Sequence, residues 1–321
     1  MLEITSDPEP ILRPDEKVGW MSKSVAFQKV VQDRIFFSGE SSSGQWRVAV
    51  ADFKGVPTEP RLVEIKSDWR FAETITPNVV RTIDGFMLAF AGRRTGSESR
   101  RVFVATSDTL DGPWEVEGRP YTPHEAWEGR NIDLGPGNMI DDSSALFFYS
   151  SAFPRFRQAA LAFLREPHVP RQQNIMRYEK RRIGILKVST GGPPVISGRR
   201  DPVPLYCIPG TPFESVFCPG YAVVDGRNLL FMACSNYSKG YPFEQLIGVV
   251  ESEITPTRWS SAQEIRALIT SKDLPPLYSS HPALDSPDPV PVGQGRLALY
   301  FSAMSRDHQR WSIMACELRA S

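Results

Sequence analysis

The chain has 321 residues, 41% hydrophobic and 23% charged, the balance of a soluble protein with enough apolar mass for a large core. Its 37 Lys and Arg are matched by 37 Asp and Glu, so no global charge draws it to nucleic acid or an anionic membrane. No apolar run approaches the ~20 residues of a membrane span. The opening "MLEITSDPEPILRPDEK" lacks the basic and apolar regions of a secretory signal. The four cysteines, Cys207, Cys218, Cys234 and Cys316, sit in apolar contexts without CxxC spacing. They read as buried free thiols, with a cytoplasmic location, and no cofactor or metal is expected.

In chain order, one unit returns five times. "SVAFQKVVQDRIFFSG" begins at Ser24 and "TPNVVRTIDGFMLAFAG" at Thr76. "GPGNMIDDSSALFFYSS" follows from Gly135, "CPGYAVVDGRNLLFMACS" from Cys218 and "SPDPVPVGQGRLALYFSA" from Ser286. Each holds two short apolar runs around a turn, too short for helices and rich in aromatic and branched residues. A third strand follows each after a variable loop: "WRVAVADF", "RRVFVATSD", "RRIGILKVS", "QLIGVVESE" and "WSIMACEL". An outer strand such as "GPWEVEG" follows in several copies. The anchors Ser24, Pro77, Pro136, Pro219 and Pro287 stand 53, 59, 83 and 68 residues apart, which suits four-stranded blades. The pattern predicts an all-β, five-bladed β-propeller in one domain, with blades near 18–66, 67–122, 123–205, 206–272 and 273–321.

In such blades the innermost strand starts at the face where the second-to-third-strand loops emerge. Residues ahead of each anchor therefore ring the channel mouth, and each proline is expected at a strand's first residue. Blade one offers Trp20, Ser22 and Lys23; blade two offers Trp69, Arg70 and Glu73. Blade three offers "HEAWEGRNID", with Glu125, Trp127, Glu128, Arg130, Asn131 and Asp133. Blade four offers Phe213 and Glu214, and blade five His281, Asp285 and Asp288. Carboxylates converging among aromatic rings suit general acid/base work at an acetal and sugar binding. Lys23, Arg70 and Arg130 form a possible anion-binding set, or else pair with rim acids such as Glu73 and Glu128. His124, Glu125 and Glu128 read as an aromatic loop wall rather than a metal site.

"DPEPILRPDEKVGW", "NIDLGPGNMI", "RRDPVPLYCIPGTPFESVFCPGYAVVDG" and "VATSDTLDGPWEVEG" together resemble the five-bladed propeller glycosidases of families 43, 32 and especially 130, the mannoside phosphorylases and hydrolases. The resemblance implies that fold and a small glycoside or oligosaccharide substrate in the channel. It does not carry over the standard catalytic set. Where family 130 has Glu-Asp-Pro-Arg, this chain has Ile75-Thr76-Pro77-Asn78. "MSKSVAF" lacks the first-blade base of family 43, and Phe217 stands where its fourth-blade acid lies. A rearranged set from Asp133, Glu214, Glu73 and Asp285 is expected, with Trp20, Lys23, Arg70, Trp127, Arg130, Phe213 and His281 binding substrate. The alternatives are a scaffold turned to non-hydrolytic chemistry, such as cyclisation or elimination, and a carbohydrate-binding propeller without catalysis.

The longest insertion, in blade three, contains "FRQAALAFLRE", which predicts a helix with an apolar stripe of Phe156, Ala160, Phe163 and Leu164. The 152–180 segment is expected to be a lid over the mouth or a homo-oligomer contact.

Overall fold

The computed structural model describes residues 2–125, 127–129, 131–154, 164, 179–189, 193–236, 245–252, 264–279, 283–305 and 310–320. Arg130, His281 and nearly all of the predicted helical insertion lie outside the described residues. What is described is a five-bladed propeller.

Two short strands come first, β1 (Leu2–Ile4) and β2 (Glu9–Leu12). Blade one is β3 (Ser24–Val31), β4 (Arg34–Glu40), β5 (Trp46–Phe53) and β6 (Pro57–Leu62). A two-residue strand, β7 (Ile65–Lys66), then pairs in parallel with the outer strand of blade two. That blade is β8 (Phe71–Arg81), β9 (Phe86–Arg94), β10 (Arg101–Ser107) and β11 (Trp114–Tyr121). Blade three is β12 (Ile132–Asp141), β13 (Ser144–Pro154), β14 (Glu179–Ser189) and β15 (Val195–Gly198). Blade four is β16 (Ser215–Val224), β17 (Arg227–Ser235), β18 (Leu246–Ser252) and β19 (Arg266–Ile269). Blade five supplies β20 (Leu284–Gly293), β21 (Arg296–Met304) and β22 (Trp311–Ala320), and its outer strands are β1 and β2. The stretch 273–321 is therefore an incomplete blade, closed by residues 2–12 through Leu2↔Ala320 and Glu9↔Ala315.

The core is five wedges, one between each pair of blades. Phe36 and Val50 of blade one meet Leu88, Phe90 and Phe103 of blade two. Ile35 and Phe37 close the ring against Ala298 and Tyr300 of blade five. Side chains alternate along each strand, so a central strand feeds both neighbouring wedges and reads as a continuous apolar run.

Every innermost strand bulges at the same place. Phe27-Gln28, Thr76-Pro77, Gly135-Pro136, Cys218-Pro219 and Ser286-Pro287 each oppose a single residue of the second strand. Four of the leading residues are in the left-handed region, Phe27 (φ 59°), Thr76 (φ 53°), Cys218 (φ 44°) and Ser286 (φ 48°). This corrects the expectation that the prolines start their strands. They sit inside them, at a bulge whose unpaired residue needs no N–H in the ladder. Successive bulges pack against each other: a Cβ on Gly135 would lie 2.5 Å from the Pro219 carbonyl, and one on Gly220 2.0 Å from that of Pro287. The axis is thereby narrowed to a cavity of about 20 Å³ lined by residues that include Thr76, Leu134, Pro219 and Pro287. Asp288 lines this waist rather than the mouth, bonded to Lys29 at 2.8 Å and to the Val30 N–H at 2.7 Å.

Candidate active site

Because the strands extend above the bulges, Glu73, Asp133 and Asp285 belong to regular β-structure, and Glu214 directly precedes it. All four carboxyl groups are buried, at 5%, 6%, 7% and 7% exposure for Glu73, Asp133, Glu214 and Asp285. Buried carboxylates demand partners. Glu73 receives Arg93 Nε on Oε2 at 3.0 Å and Arg100 Nη2 on Oε1 at 2.7 Å. Arg100 also gives Nη1 to Asp133 Oδ1 at 3.0 Å, and Arg181 Nη1 approaches Oδ2 at 3.5 Å. The Arg181 guanidinium lies over the Phe217 ring, 4.9 Å from its centre. Burial raises the Glu73 pKa, but the Arg100 charge and the guanidinium hydrogen bonds outweigh it and hold the group below the usual range.

Asp285 is in a different situation. Burial pushes its pKa up to about 6, and the nearby Asp133 charge acts in the same direction. The Cys218 thiol, the Arg181 charge and the Ser286 N–H, which donates to Oδ1 at 2.7 Å, pull it down without cancelling the burial. Cys218, at the blade-four bulge, is held far into its thiol form by burial and by Asp285 and Asp133. Two acids on blades either side of blade four are thus coupled electrostatically, Asp133 paired with arginine and Asp285 raised by burial.

The other sequence-derived residues are dispersed. Glu214 closes its own loop, taking the Gly210 N–H on Oε2 at 3.0 Å, while its carbonyl receives Arg182. Trp20 packs on Phe37 at 6.0 Å and covers Gly39. Trp127 lies on Tyr149 at 5.4 Å and donates its indole N–H to the Arg200 carbonyl. Phe213 packs half-buried against the wedge between blades three and four. Lys23 pairs with Glu40 at 2.7 Å, and Arg70 is exposed. Glu128 is fully used within the protein, by the hydroxyls of Tyr121 and Tyr149 and the N–H groups of His124 and Glu125. The cysteines are free, three buried and Cys207 half-buried. Among the described residues no group of three or more His, Cys, Asp or Glu is placed to hold a metal ion.

What sequence reasoning missed are the arginines. Arg47, Arg100 and Arg181 lie in the first residues of, or just ahead of, the third strands of blades one to three, and Arg93 is the last residue but one of β9. The signal was present in "WRVAVADF", "RRVFVATSD" and "RRIGILKVS", three third-strand runs with arginine at the first or second position.

No family model and no curated protein sequence matches the chain. Solved structures do. An α-L-arabinofuranosidase from Podospora anserina in complex with cellotriose is similar with a TM-score of 0.57 at 11% identity, over 99% of this chain and 98% of that one. A GH43_1 enzyme from Xanthomonas citri with xylotriose gives 0.56 at 13%, over 97% and 89%. A GH43 β-xylosidase/α-arabinofuranosidase from a compost metagenome, also with xylotriose, gives 0.55 at 12%, over 99% and 95%. At such identities the likeness speaks for the backbone alone. The chain has the five-bladed propeller fold of these glycoside hydrolases.

Proposed function

We propose that the protein is a glycoside-cleaving enzyme, a hydrolase or phosphorylase, with Asp285 as general acid and Asp133 as its carboxylate partner. One observation carries this reading: at the mouth of the channel two coupled acids have opposite environments, Asp133 bonded to Arg100 and Arg181 and Asp285 buried beside a thiol. An acid retaining its proton to about pH 6 can protonate a leaving oxygen, while the second carboxylate directs a water or phosphate or meets the sugar cation. The oligosaccharides in the solved look-alikes favour the same substrate class.

Turnover of aryl glycosides and oligosaccharides with and without phosphate, for the wild type, Asp285→Asn and Asp133→Asn, tests it. Each substitution should lower kcat by about 100-fold or more. Full activity in both variants would falsify the assignment. A second reading, carbohydrate binding without catalysis, is favoured by the engagement of both Glu73 and Asp133 by guanidinium groups. Binding without turnover in the wild type would select it.

A further inference from the structure

Among the described residues, several guanidinium groups around Glu73 and Asp133 donate to neutral acceptors or keep donor atoms unused. Among the described residues Arg47 donates to carbonyl oxygens, of Trp46, Ala72 and Phe71. Its pKa is pulled down by burial, which the charge of Glu73 only partly offsets. Arg182 gives Nη1 to the carbonyls of Arg181 and Glu214. Arg93 is fixed through Nε to Glu73, yet its side chain stays 41% exposed. Its two Nη atoms have no partner among the described residues. Arg47, Arg93, Arg100 and Arg181 thus cluster around Glu73 and Asp133.

Clustered guanidinium groups repel one another, as the Arg181 charge does Arg100, and an anion relieves that repulsion. A guanidinium held by one edge presents the other edge in a fixed plane, the geometry that grips a carboxylate or phosphate with two parallel bonds. We infer that the ligand is a sugar bearing an oxyanion, a uronate carboxylate or a phosphate ester, received on the Nη edge of Arg93. The surrounding guanidinium groups supply the favourable field. The sugar part of this inference rests on the glycoside reading above, whereas the anion part stands on the arginines alone.

Binding of glucuronate, galacturonate, glucose 6-phosphate and inorganic phosphate, each against glucose or galactose at constant ionic strength, tests it by calorimetry. At least one anionic probe should bind about tenfold or more tightly than its neutral counterpart, as one charge-assisted pair allows. Preference for the uronates or for the phosphates tells which oxyanion the site takes. Arg93→Gln should erase the preference, and Arg93→Lys should restore part of it. Equal binding of anionic and neutral probes, no binding by any, or a preference that survives Arg93→Gln would overturn the inference. Asp285→Asn separates the two readings: lost turnover with the anion preference kept supports both. A preference in a wild type that cleaves nothing keeps this inference and removes the enzymatic one.

Discussion

Glu73 and Asp133, on neighbouring blades, are joined by a single guanidinium: Arg100 reaches the first at 2.7 Å and the second at 3.0 Å. Burial alone lowers the Arg100 pKa, but the charges of Asp133 and Glu73 more than reverse it. Removing the bridge takes one guanidinium partner from each of two buried carboxylates in one step. Arg100→Met should therefore destabilise the protein by about 3–5 kcal/mol in denaturant unfolding. Glu73→Gln in the same background should recover part of that loss, because one of the under-paired charges is gone.

Asp285 gives a pH dependence of definite sign. Its folded-state pKa of about 6 lies above the ordinary 3.8, so the folded protein holds this proton more tightly than the unfolded chain. The resulting stability is complete below pH 3.8 and is lost as pH rises through about 6. If the carboxyl is the general acid, kcat/KM should fall over the same rise. Asp285→Asn should gain about 1–3 kcal/mol at pH 7.5, and the gain should vanish near pH 4 while activity stays absent. Thermal melts of both proteins at the two pH values check it.

The waist tests the bulges. Gly220 faces the Pro287 carbonyl of the next blade at a distance that admits no Cβ, and its φ is not in the left-handed region. Gly220→Ala should therefore cost stability through overpacking alone, about 2–4 kcal/mol. Gly226→Ala, in a hairpin turn at φ 76° with open space around it, should cost less, about 1 kcal/mol, from backbone strain.

Glu128 fixes the wall of blade three. Its Oε1 takes the hydroxyls of Tyr121 at 2.8 Å and Tyr149 at 2.5 Å, and its Oε2 the N–H groups of His124 and Glu125, both at 2.7 Å. Burial, together with this carboxylate, raises the pKa of both phenols. Glu128→Ala should cost about 2–4 kcal/mol, since the Tyr149 hydroxyl would be left buried without its acceptor. Glu128→Gln, which keeps an oxygen for the phenols, should cost less. Chemical denaturation of both variants measures the difference.

The propeller was legible because its code is local: an apolar run, a turn and a second run, repeated with a third strand behind them. "WRVAVADF" predicts 46–53, the full span of β5, and "WSIMACEL" predicts 311–318 within β22. The N-terminal strands "LEI" and "EPIL" escaped because runs so short carry no periodicity, and their partner lies some 300 residues away. The carboxylates Glu73, Asp133 and Asp285 were found from their place ahead of the prolines. Their differing surroundings were not, since these depend on Arg100, Arg181 and Cys218, which converge only in three dimensions. A bulge is likewise invisible to a two-residue period, although the prolines within β8, β12, β16 and β20 marked its location.

The clasp of blade five has a mechanical consequence. Leu2 and Ala320 are registered partners in an antiparallel pair, so their backbones lie about 5 Å apart. Force applied at these two residues loads the ladder one bond at a time, as a zipper, rather than stretching several bonds together. The ring should open at low force at this seam while the other four blades remain intact.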